Sequence, residues 1–283
     1  MNDEIICKVC DTEECWLDEK RTTLLNEWIQ PFISHHKLDL KGLKGLSFTP
    51  KLLVGSYGAE FLRRKSGESI ILISEEMWAK AEENINDLRI LQNILQHELA
   101  HVHNNNCLAE LPGKITLVNS RKIEDISIFV YRLWDEFFAT QLAAHSEPAG
   151  LLQAKMTGVL MEKEQLKKVM RDSSFKQDEQ RDQMDMLILT ATHLAGSYFG
   201  NEDLREVIME GNLRSERILR TVWQISETAG SLLQSYPFKS YTDLLPLAQV
   251  YFTFLQEANK NYRPFWRKIL FSNKFKSLTA FNR

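Results

Sequence analysis

Asn93-Ile94-Leu95-Gln96-His97-Glu98-Leu99-Ala100-His101-Val102-His103 contains an HExxH string at positions 97 to 101. The flanking residues Ile85, Leu88, Leu91, Leu95, Leu99 and Val102 recur at intervals of three and four, which predicts a helix with a buried stripe. His97 and His101 share another face with Ile90 and Ile94. Residues i and i+4 stack on one face of a helix, so both imidazoles can reach a single ion. Zinc accepts neutral imidazole nitrogens, and a catalytic site takes three protein ligands with one position left for water. Glu98, one step around from His97, is placed to accept that water's proton. The string thus offers two metal ligands, His97 and His101, and a general base, Glu98.

The third ligand must come from elsewhere. A glycine three residues and a histidine six residues past His101 would complete a compact site, but Asn104 and Cys107 stand there. Cys107 would need a sharp turn to serve, and His103 points about 200° away from His101 around the helix. Lys122 to His145 reads as the next helix, with Ile126, Phe129, Leu133, Phe137 and Thr140 on one face and Glu136 at its border. Ala139 and Ala143, three and seven residues on, permit close approach to the histidine helix. Glu136 is therefore the expected third ligand, Asp135 the alternative, and Thr140 a hydrogen-bond partner for a ligand.

HExxH followed by a second helix with a glutamate resembles the gluzincin metallopeptidases. Glu136-Phe137-Phe138-Ala139-Thr140-Gln141-Leu142-Ala143 is similar to the Glu-x-x-Ala-(Asn/Asp)-x-Phe-Ala helix of the small ImmA/IrrE-type members. The resemblance covers roughly Leu40 to Pro148. It departs at Thr140, where Asn or Asp is usual, and at Leu142-Ala143-Ala144-His145, where Leu-Leu-Met-Pro is usual. It implies zinc, peptide hydrolysis, and a β-strand upstream of the motif that aligns an extended peptide. Leu43–Leu53 and Glu68–Ser74 read as strands, the second a β-branched run in the aligning position. The family commonly sets a Tyr or His opposite the metal to steady the oxyanion. Tyr131, His193 and Tyr198 are the candidates here.

The chain has 283 residues, 43% hydrophobic and 26% charged, with a net charge of −3. Such a balance suits a globular protein with no general attraction to nucleic acid. No apolar run reaches bilayer-spanning length. The acidic Met1-Asn2-Asp3-Glu4 opening and the short Ile5-Ile6 pair do not make a signal peptide, so a cytoplasmic protein is expected. Cys7 and Cys10 form a CxxC with Cys15 nearby. Reduced thiols are the first reading, and a second metal site would need Cys107, His35 or His36 as its fourth ligand.

The expected fold is α+β: an N-terminal helical lead (1–40, with Arg21–His36 helical), a zincin-like core of minigluzincin type (41–148), and a helical bundle (149–283). Asn104-Asn105-Asn106 reads as the end of the active helix, and Leu111–Arg121 as a loop lining the cleft. Later helices are expected near Leu151–Arg171, Gln177–Phe199, Asn201–Met209, Leu213–Ser235 and Tyr241–Ala258. Beyond Glu257 no acid appears, while Lys260, Arg263, Arg267, Lys268, Lys274, Lys276 and Arg283 interleave with Phe265, Trp266, Phe271, Phe275 and Phe281. Inward packing of these rings is the first reading, and a basic aromatic docking surface for a partner the second.

Functionally, the residues point to a zinc peptidase acting on a restricted protein substrate. The alternatives are a regulatory module with a structural metal, and a metal hydrolase for a non-peptide substrate.

Overall fold

The computed structural model describes residues 19–50, 52, 58–63, 68–109, 111, 121–172, 177–210 and 217–262. The CxxC segment with Cys15, most of the 111–121 loop, and the basic aromatic stretch from Arg263 onward lie outside them. The described elements are α1 (Glu19–His36), β1 (Leu43–Thr49), β2 (Ala59–Arg63), β3 (Ser69–Ser74), α2 (Glu75–Glu83) and α3 (Ile85–Ala109). There follow α4 (Arg121–Ala143), α5 (Ala149–Arg171), α6 (Gln177–Gly200), α7 (Glu202–Glu210), α8 (Arg217–Leu232) and α9 (Leu245–Tyr262). The fold is α+β, mostly helical with one small mixed sheet.

The sheet order is β1-β3-β2, with β1 parallel and β2 antiparallel to β3. Ser69-Ile70-Ile71-Leu72-Ile73-Ser74 is apolar on both faces, and its Ile70, Ile71 and Ile73 are all buried. A run of that kind belongs in the middle of a sheet. The expectation that this segment aligns a substrate is therefore corrected: β3 is central, and β2 is the edge beside α3. Gly58 leads into β2 with φ +84°, a conformation glycine adopts freely. Ser74 then caps α2, its hydroxyl accepting from the Met77 N–H. This helix, absent from the sequence reading, links β3 to α3 along the chain.

Hydrophobic side chains gather into two cores. One joins α1, the sheet, α2 and α3 through residues such as Leu25, Ile29, Ile71, Trp78, Leu95 and Leu99. The other joins α4 to the later helices through Leu133, Trp134, Phe137, Ile188, Trp223 and Tyr251. The buried stripe expected on α3 is present from Leu91 to Val102, whereas Ile85, at the helix start, is 61% exposed. The seam where the two cores meet is the pairing of α3 with α4.

Two corrections concern helix ends. Asn104-Asn105-Asn106 does not stop α3, which runs on to Ala109. Each amide has a partner that repays its poor helix propensity. Asn104 bonds Asp135 and Trp134; Asn105 bonds the His101 carbonyl and receives the Tyr131 hydroxyl. Asn106 donates to the carbonyls of Asp39 and Lys41. In the last helices, the Leu213–Ser235 and Tyr241–Ala258 stretches each include a short 3-10 turn, at Leu233–Ser235 and Tyr241–Leu244.

In the second core the Tyr251 hydroxyl donates to Asp185 Oδ1 at 2.6 Å. Burial pushes the Asp185 carboxyl up from 3.8 to about 6, although Tyr251 and Arg181 pull the other way. With the folded value above the unfolded one, native protein binds this proton more tightly, and the group's contribution to stability is lost as pH rises through about 6. Asp185→Asn keeps an acceptor for Tyr251 without the charge. Measured by urea unfolding, the variant should gain on the wild type by about 2–3 kcal/mol between pH 4 and pH 8. A constant gap across that range would show that the carboxylate carries no such penalty.

Candidate metal centre

α3 and α4 run antiparallel and are tied together at successive turns. Asn93 donates to the Ala143 carbonyl at 2.7 Å, and Thr140 Oγ1 lies 3.4 Å from His97 Nδ1. Further along, His101 Nδ1 meets Asp135 Oδ2 at 2.8 Å and Asn104 Nδ2 donates to Asp135 Oδ1 at 2.6 Å. The buried Trp134 indole N–H donates to Asn104 Oδ1 and completes this chain. With both helices clamped, His97, His101 and Glu136 converge, each offering one ligand atom within 4.8 Å of the others.

The distances can be compared with what an ion demands. Ligand atoms about 2.05 Å from one ion at the tetrahedral angle lie about 3.3 Å apart. Glu136 Oε2 is 3.3 Å from His97 Nε2 and 3.5 Å from His101 Nε2, and the two Nε2 atoms are 2.9 Å apart. Two imidazole nitrogens and a carboxylate oxygen form a donor set suited to zinc. The other ring edges are engaged by Asp135 and Thr140, which turns both Nε2 atoms inward.

The charges of the cluster act on one another across short distances. Burial, then the neighbouring His101, pushes His97 down to about 4. At His101, burial is outweighed by the carboxylates of Asp135 and Glu136, which hold the ring well above its ordinary value. Glu136 is kept ionised against burial by His101, His193 and His97. One cation at the common point would take over the balancing role of the proton on His101.

Glu98 sits beside the cluster, and its Oε2 accepts the Phe61 N–H of β2 at 2.8 Å. Burial pushes its carboxyl up to about 7, opposed by His101 and the Phe61 N–H. The Phe61 ring lies over His101, with centroids 6.4 Å apart, so the edge strand packs directly on the histidine face.

Among the expected site residues, the structure brings together His97, Glu98, His101 and Glu136. Asp135 does not share Glu136's seat; its shorter arm reaches the opposite edge of the His101 ring. His103 turns away, its Nδ1 accepting the Asp39 N–H. Cys107 lies 3.7 Å from His103 Nε2, outside the cluster. Of the three oxyanion candidates, only His193 touches the centre, with Nε2 2.9 Å from Glu136 Oε2. The Tyr131 hydroxyl donates to Asn105, and Tyr198 packs against Trp223 and Arg205. Sequence reasoning missed Asn104 as a supporting residue, and its spacing of three from His101 was the available signal.

No family model, no curated protein and no solved structure matches the chain. No helix among the described residues is long and apolar enough to cross a membrane.

Proposed function

We propose that this chain is a zinc-dependent peptidase in which His97, His101 and Glu136 hold the metal and Glu98 is the general base. The observation carrying this reading is the convergence of the three donor atoms within 4.8 Å, beside the partly buried carboxylate of Glu98, which is held by the Phe61 N–H. A divalent cation there supplies Lewis acidity, bringing the pKa of a water from 15.7 towards about 7 and polarising a carbonyl.

The chain's own groups supply the rest. Glu98 takes a proton from the attacking water and returns it to the departing amine nitrogen. Asp135 and Thr140 fix the imidazole orientations. β2 supports a peptide over other substrates: among the described residues it pairs only with β3, and its outer edge, where Glu98 takes the Phe61 N–H, runs alongside the histidine helix as an extended chain would. The cytoplasm, with a protein substrate of narrow range, is the proposed setting.

The second reading, a regulatory module with a closed metal site, draws support from His193 as a possible fourth donor beside Glu136. Metal analysis by mass spectrometry tests the common premise. Wild-type protein should carry close to one zinc per chain and His97→Ala almost none. A metal content equal in the two, or zero in both, would remove the proposal's basis.

A further inference from the structure

His193 comes from α6, outside the two helices that carry the HExxH string and Glu136. Its Nε2 lies 2.9 Å from Glu136 Oε2, the oxygen that also faces His97 and His101. We propose that His193 is a positioning residue for Glu136: its ring N–H holds Oε2 in line with the two histidines and makes α6 a working part of the centre. This rests on reading the cluster as a metal centre.

The neighbourhood of Glu136 leaves this task to His193. Thr140, one turn after Glu136, approaches His97 and so does not steer the carboxylate. The only other ionic neighbour of Glu136 among the described residues is Arg132, whose Nε is 3.9 Å from Oε1 and whose side chain is mostly exposed. Oε2 thus receives its fixed N–H from α6. Partners of this kind commonly tune metal sites through the orientation of a ligand.

Two features of α6 hold His193 in place. First, α6 approaches α4 through Gly196 and Gly200. A Cβ on Gly196 would lie 2.6 Å from the Thr140 Cβ, and one on Gly200 would lie 2.1 Å from the Gln141 carbonyl oxygen. Neither position has room for a side chain, so the glycines set how near His193 stands to Glu136. Second, Ser197, one turn beyond His193, donates to Glu147 Oε2 at 2.5 Å. Lys155 meets both, at 3.0 Å from Ser197 Oγ and 2.9 Å from Glu147 Oε1. A buried ion pair is costly unless its members are fully engaged. This one fixes the rotation of α6 on the face that carries His193.

The test measures zinc affinity of the full chain by competition with a chromogenic chelator. His193→Ala should bind zinc about 10- to 100-fold more weakly. His193→Gln, which restores an N–H donor, should recover most of that loss. Ser197→Ala should shift affinity in the same direction by several-fold. Circular dichroism and thermal unfolding in excess chelator identify any variant that has lost its fold, and His193→Gln then decides the question. Equal affinity in the wild type and His193→Ala overturns the positioning role but leaves the metal reading standing. A wild type that binds no zinc overturns that reading instead. X-ray absorption should count two imidazoles on the zinc; three, falling to two in His193→Ala, would make His193 a ligand and overturn the proposal.

Discussion

Glu98→Gln should retain close to one zinc per chain while losing hydrolysis by about 10²- to 10⁴-fold. The substitution is nearly isosteric, and the amide oxygen can still accept the Phe61 N–H that anchors Glu98 to β2. None of the three proposed metal ligands is changed, so their geometry should persist. What disappears is the capacity to take a proton. Burial holds the Glu98 carboxyl near 7, where it can both accept and return one at neutral pH. A cation held by His97, His101 and Glu136 would draw that value down and so favour the ionised form of Glu98. Zinc content by mass spectrometry, paired with loss of endogenous proteins in cells expressing either form, provides the comparison. Unchanged turnover in Glu98→Gln would move the base elsewhere, and loss of zinc would mean that Glu98 serves the fold of the site.

Local spacing made part of this site legible. His97 and His101 are four apart on one helix, and that periodicity needs no tertiary knowledge. Glu136 was readable because the next amphipathic stretch had an acid at the border of its apolar face. Asp135, the alternative to Glu136 on sequence grounds, takes a place that spacing does not reveal: adjacent acids with two arm lengths reach opposite edges of the histidine pair. The asparagine run failed as a stop signal because its partners, Trp134, Tyr131 and the 39–41 turn, are remote in sequence.

Sheet order was equally hidden. The β-branched run at 69–74 is clear as a strand, but only its burial on both faces makes it central and leaves β2 as the edge. His193 lies 57 residues from Glu136, and no periodicity links them. Its selection over Tyr131 and Tyr198 came from helix packing. The centre therefore draws its donors from both sides of the seam: the histidines from a helix of the sheet-containing core, the carboxylate from a helix of the other.

Because α6 packs on α4 through close helix contact, Gly200→Ala is expected to cost about 3 kcal/mol of stability, although it adds a single methyl group. On an isolated helix the same change would be favourable by up to about 1 kcal/mol. Here the new Cβ would stand 2.1 Å from the Gln141 carbonyl oxygen and 2.6 Å from the Ala144 Cβ. A backbone atom cannot rotate aside as a side chain can, so α6 must move from α4. Gly150→Ala is the matched control: nothing lies within 4 Å of its new methyl, and it should be neutral or mildly stabilising. Urea unfolding of the two variants should give shifts of opposite sign or very different size. The consequence would reach the proposed metal centre, since an α6 displaced by even a few tenths of an ångström stretches the 2.9 Å contact between His193 and Glu136. Gly196→Ala, meeting Thr140 at 2.6 Å and one turn nearer the centre, should therefore weaken zinc binding as well as the fold. Equal stability of Gly200→Ala and Gly150→Ala would rule out the close α4–α6 contact on which this coupling depends.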